Sequence, residues 1–111
     1  MKNYVQPGNT LTLIAPYAVT SGDGFLVGSI FGVAAGDATS GAKVEAALTG
    51  VFDLTKIGSQ AWTAGAKVYW DDTNKRTTSV ATSNTLIGVA TEAVAGGAGD
   101  TIGRVRLNAS F

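Results

Sequence analysis

No run of twelve residues in this 111-residue chain holds an apolar stripe at helical spacing without a glycine inside it. A glycine in a helix interior costs about 1 kcal/mol relative to alanine, so the helical period fails wherever it begins. Glutamate, a good helix former, occurs only as Glu45 and Glu92. The two-residue period of strands recurs instead, between clusters of Gly, Asp, Asn and Ser. Asn9 to Ile14 sets Thr10, Thr12 and Ile14 against Leu11 and Leu13, the alternation of a half-buried strand.

The same period predicts the rest of the chain. A short strand is expected over Tyr17 to Thr20, after Pro16 breaks the ladder, followed by a turn at Ser21-Gly22-Asp23-Gly24. An apolar strand over Phe25 to Val33 contains Gly28 and Gly32, expected as bulges or close backbone approaches. Lys43 to Leu54 alternates and then slips phase at Gly50, the mark of a bulge. Ile57 to Ala66 is a connector with room for one helical turn at Gln60 to Trp62. Lys67 to Asp71 is a strand ending in the turn Asp71-Asp72-Thr73-Asn74. Thr77 to Ala81 and Thr85 to Glu92 form a hairpin around Ser83-Asn84, and Thr101 to Leu107 closes the chain, with Ile102, Arg104 and Arg106 on one face. This is an all-β protein: a compact β-sandwich or partly open β-barrel of about eight or nine short strands with little helix. A single domain over residues 9–111 follows a short N-terminal arm, residues 1–8, in which Val5 and Pro7 suit extended backbone and no core pattern is present.

Composition then removes most chemistry. The chain has no cysteine and no histidine. Disulfides, thiolate catalysis and the commonest metal ligand are therefore excluded. Charged residues make up 14%, against roughly 25% in ordinary soluble domains, and eight bases cancel eight acids. No field draws the protein to nucleic acid or to anionic lipid, and no apolar run reaches transmembrane length. Low charge favours association over repulsion, a pointer to assembly. Met1 to Pro7 lacks the apolar centre of an export signal, so synthesis in a cytoplasm is expected.

Several short matches fail on register. Gly36 to Lys43 imitates a phosphate-binding loop, but Ala42 stands where its lysine belongs and Val44 follows the displaced one. Gly97-Ala98-Gly99 with Gly103 has one residue too many for a dinucleotide fingerprint, and Asp71 to Asn74 lacks the glycine and glutamate of a calcium loop. The eight acids fall mostly in turns, no nucleophile elbow is present, and the expectation is no enzyme, no cofactor and no metal site. Trp62, Trp70, Phe25, Phe31 and Phe52 are core candidates by size. An exposed tryptophan among them, or an ion pair from Arg104 or Arg106, is a candidate contact between subunits.

Four stretches, "NYVQPGNTLTLIAPYAVTSGDGFLVGSIFGVAA", "VEAALTGVFDL", "AWTAGAKVYWDD" and "IGVATEAVAGGAGDTIGRVRL", follow one another from Asn3 to Leu107. In this order they resemble a family of small tailed-phage capsid cement, or head decoration, proteins, some of which have been labelled recombinase-like. The most specific pieces are Pro7-Gly8, Ala15-Pro16, Ser21-Gly22-Asp23, Gly50-Val51-Phe52 and Val68-Tyr69-Trp70-Asp71. All are scaffold; none is catalytic. The resemblance implies a virion protein on the exterior of the phage head, made in the bacterial cytoplasm. It would bind the major capsid protein of the expanded shell, commonly as a homotrimer, and stabilise coat-subunit contacts. It also implies that an arm made of Lys2, Asn3, Tyr4, Val5, Gln6 and Pro7 orders on the capsid by strand addition. The alternative is a surface β-module that binds carbohydrate on exposed aromatics, for which Trp62 or Trp70 would line a cleft near Asp71 or Asn74.

Overall fold

The computed structural model describes residues 10–108, so the expected arm lies outside the described residues. The alternation at the N-terminal end becomes β1 (Thr10–Ile14), with Leu11 and Leu13 half-buried and Thr10, Thr12 and Ile14 exposed. β2 (Gly24–Val27) and β3 (Ile30–Ala34) form a hairpin. Gly28 sits at φ +60° and Ser29 does not share the left-handed region, so the loop is the two-residue type with glycine first. The apolar run expected as one interrupted strand is therefore two strands folded back at Gly28. Gly32 does mark a close approach, since a side-chain carbon there would lie 2.8 Å from the Ala46 Cβ.

β4 (Lys43–Ala47) pairs with both β1 and β3, giving a four-stranded antiparallel sheet in the order β1-β4-β3-β2. After β4 the chain leaves this sheet for good. Leu48 is buried, Gly50 takes φ +117°, and β5 (Thr49–Thr55) begins a second sheet. The phase slip expected as a bulge is thus a corner between sheets. The remaining strands are β6 (Lys67–Asp71), β7 (Arg76–Thr78), β8 (Thr85–Ala90) and β9 (Ile102–Asn108), in the antiparallel order β5-β9-β8-β6-β7. This five-stranded sheet curls until the end of β5 touches β7. Lys56 bridges Thr77 in parallel, the Ile57 amide donates to the Thr77 carbonyl at 3.0 Å, and the Thr77 hydroxyl donates to the Thr55 carbonyl at 2.8 Å. The result is a half-barrel joined to a flat sheet, nine strands in all among the described residues.

Three further expectations are corrected. Tyr17 to Thr20 makes only one bridge, Val19 to Ala38, because the Thr20 amide and hydroxyl both donate to the Asp23 carboxylate and turn the chain at once. β7 pairs with β6, not β8. The Asp71 carboxylate accepts from the Thr73 and Asn74 amides, which closes the β6–β7 hairpin, and β8 then lies on the other side of β6. No helical turn forms at Gln60 to Trp62; Trp62 is extended and bridges Val94.

Two apolar clusters hold this arrangement. Phe31 and Val33 of the flat sheet enter the half-barrel among Leu54, Val68, Trp70, Ile87, Val105 and Leu107. The Phe31 and Trp70 rings meet at 5.0 Å, tilted by 52°. The second cluster lies on the other face of the flat sheet, where Phe25, Val44, Ala46 and Leu48 pack under Ala15 and Val19. Full burial of a side chain such as Phe25, 0% exposed, contributes about 1.5–3 kcal/mol.

Candidate functional site

Strand alternation fixes where each candidate side chain stands. On β6, Val68 and Trp70 point into the half-barrel and Lys67 and Tyr69 away from it. Trp62 and Trp70 are 2% and 3% exposed, both within the main cluster. Each indole N–H is matched inside the chain: Trp62 Nε1 donates to Gln60 Oε1 at 2.8 Å and Trp70 Nε1 to Asp72 Oδ1 at 3.0 Å. Neither forms an exposed platform beside Asp71 or Asn74. Phe25 and Phe31 are also core, and Phe52 packs at its margin.

Arg104 and Arg106 stand on the outer face of β9 with Ile102, and the structure separates their roles. Arg104 grips its cross-strand partner Asp53 with two hydrogen bonds, Nε to Oδ1 at 2.9 Å and Nη2 to Oδ2 at 3.2 Å, and lies 3.9 Å from Glu92. The guanidinium holds the Asp53 carboxyl below the usual carboxylate range, and the hydrogen bond and charge of Asp53 push Arg104 up. All three groups are exposed, so the network contributes little to stability. Arg106 takes part in no ion pair or side-chain hydrogen bond among the described residues. Its direct cross-strand neighbours are Val51 on β5 and Val89 on β8, and Val89 is opposite Lys67 on β6.

A small pocket of about 150 Å³ opens where the two sheets meet, lined by Tyr17, Asp23, Gly24, Thr55, Trp70 and Lys75 among others. The Tyr17, Asp23, Trp70 and Lys75 side chains around it are matched within the chain. The Tyr17 hydroxyl donates to Asp72 Oδ1 at 2.9 Å, Lys75 Nζ lies 3.7 Å from the same oxygen, and Nζ stands 4.1 Å from the Tyr17 ring centroid. Partial burial, with the bond to Asp72 and its charge, pushes the Tyr17 hydroxyl up to about 12. This cluster is a clasp between the sheets.

Sequence reasoning missed this clasp and a buried lysine. Lys56 is 1% exposed at the seam of the half-barrel. Its Nζ donates to the Ile57 carbonyl at 2.8 Å and the Asp100 carbonyl at 3.1 Å, and stands 5.5 Å from the Trp62 ring centroid. Burial holds its ammonium below the usual lysine range, opposed by the charge of Asp100. Its signal lay in the alternation of β5, which carries Leu54 and Lys56 to the same side. Among the described residues no three His, Cys, Asp or Glu side chains gather where they could hold a metal. The stretch imitating a phosphate loop runs into strand β4 and not into a helix. The described surface is made of sheet faces, strand edges and turns.

A family model described as phage cement protein matches residues 5–107, nearly the whole chain. No curated protein and no solved structure matches.

Proposed function

The chain belongs to the phage cement protein family, a structural family of the phage capsid, and from that premise we propose that it decorates the outside of the expanded head as a homotrimer. It clamps neighbouring subunits of the major capsid protein against the outward load of packaged DNA. The observation that carries this reading is the family match over residues 5–107. An all-β fold whose surface offers sheet faces and edges supports it, since a cement needs shape and repeated modest contacts multiplied by valency.

Residues 1–8 act as the capsid-binding arm of a single domain spanning 9–111, with Lys2 to Pro7 adding main-chain hydrogen bonds to a coat strand. Both tryptophans belong to the chain's own core, so contacts between copies run through other surface. The Asp53–Arg104–Glu92 network sets two acids against one base, and a base of a neighbouring copy fits there. Synthesis takes place in the bacterial cytoplasm and the protein ends on the virion exterior.

Co-sedimentation with expanded heads lacking cement, beside compact procapsids, tests the reading. Saturable pelleting with expanded heads alone, weakened by deletion of Met1 to Gln6 in a chain that still melts cooperatively, is the expected result. Pelleting with neither shell refutes it.

A further inference from the structure

The register of the five-stranded sheet places Val51, Arg106, Val89 and Lys67 side by side on its outer face, one from each of four consecutive strands. Arg106 and Lys67 are exposed, Val51 is 53% exposed and Val89 half-buried. Tyr69 lies two residues beyond Lys67 on the same face, opposite Leu86, and both are half-buried. Side chains directly opposite across a strand pair have Cβ atoms about 5 Å apart. The two cations therefore flank one valine at about 10 Å from each other.

No acid answers either of them among the described residues. Asp53 and Glu92 are engaged by Arg104, and Asp71, at the far end of the Lys67 face of β6, accepts from Thr73 and Asn74. Two unpaired cations interleaved with aliphatic side chains and joined by a tyrosine differ from a solvated face of alternating signs. Arginine and tyrosine are, with tryptophan, the residue types enriched at energetic centres of protein interfaces. Polyanions fit poorly, because two cations on a chain of zero net charge provide little of the counterion release that drives their binding. A protein surface with apolar side chains between carboxylates matches the row in both charge and polarity.

We infer that the row Val51–Arg106–Val89–Lys67, with Tyr69 beside it, is the face that docks on an acidic, partly apolar surface of the coat lattice; this rests on the capsid-decoration reading above. The arm would then add strand hydrogen bonds while this face contributes charge recognition and apolar contact.

Full-length protein carrying R106E and K67E together is compared with wild type by co-sedimentation on cement-free expanded heads, at low and high salt. K43E, a reversal at an exposed position on the other sheet, is the control. Supporting the inference, the double variant binds at least about tenfold more weakly at low salt, the gap narrows as salt screens the charges, and K43E binds as wild type. Equal binding by the double variant overturns the inference and leaves decoration standing. A changed oligomeric state by light scattering overturns it too, since the row would then serve a second copy of this chain. Failure of wild type to bind heads refutes decoration and the inference with it. If the reversal lowers the melting temperature, the neutral pair R106Q and K67Q takes its place, judged by the same loss of binding and salt slope.

Discussion

Gly103 is the position where the half-barrel can be tested most sharply. It faces inward on β9, opposite Leu54. A methyl group there would lie 2.2 Å from Trp62 Cζ3, 2.8 Å from Cη2 and 2.9 Å from Cε3. Ordinary contact begins at 3.4 Å, so the indole must retreat by more than an ångström. Its surroundings resist that. Trp62 is 2% exposed, its N–H is bonded to Gln60, and its backbone bridges Val94. Overpacking a filled core costs about 1–3 kcal/mol, and loss of the Gln60 hydrogen bond about 1 kcal/mol more. Gly103→Ala should therefore destabilise by roughly 2–4 kcal/mol, a fall in Tm of roughly 8–16 °C at about 4 °C per kcal/mol. Gly36→Ala, with nothing within 4 Å of the added carbon, is the matched control and should leave Tm within about 2 °C. The assay is equilibrium urea unfolding followed by tryptophan fluorescence, with a double-mutant cycle against Trp62→Leu. Since the smaller side chain leaves room for the methyl, the two changes together should cost less than their sum. A Gly103→Ala variant as stable as wild type, or strict additivity in the cycle, would refute the packing of Trp62 on β9.

The clasp and the buried lysine make opposite predictions in alkali, both read from urea midpoints across pH. The Tyr17 hydroxyl is raised from 10.0 to about 12, so its contribution is full below pH 10 and declines between 10 and 12, as the unfolded chain ionises first. Tyr17→Phe should remove that decline. Lys56 is held below 10.5; the unfolded chain keeps this proton longer, so stability gains from this group as pH rises toward 10.5. Lys56→Met removes the gain, and the advantage of wild type over it should widen with pH; a gap that stays constant would show that Lys56 is not buried as a cation.

The fold class was legible because alternation and turn chemistry are local. Lys67 to Asp71 coincides with β6, and the alternation of Ile102, Arg104 and Arg106 against Val105 and Leu107 is the one observed on β9. Partner choice between strands is not local. Thr77 and Thr85 flank a turn sequence, yet the Asx turn at Asp71 is tighter and takes β7 for β6. Gly28 and Gly50 look alike in sequence, although one turns a hairpin and the other lets the chain change sheets. The surface row was hidden for the same reason. Arg106 and Lys67 are far apart in the chain, and only the β8 register, with its shift at Val68/Tyr69, brings both beside Val89.

That division between local and non-local information also bears on how a cement protein is built. The flat sheet comes from the first part of the chain and the half-barrel from the rest, with one crossing at Leu48. Among the described side chains, the polar tie between the two is the Tyr17–Asp72 bond, while Phe31 and Val33 provide the apolar one. A body made in this way is held by packed side chains on both faces of the first sheet and leaves the outer face of the half-barrel free of core packing. Charges on that face can then change with the partner at little cost to the fold, because exposed pairs contribute at most about 1 kcal/mol each. The pieces that carry the family resemblance in this chain are glycines, turn acids and core apolars, whereas the row inferred to dock stands on strands where alternation alone is demanded of an outward side chain.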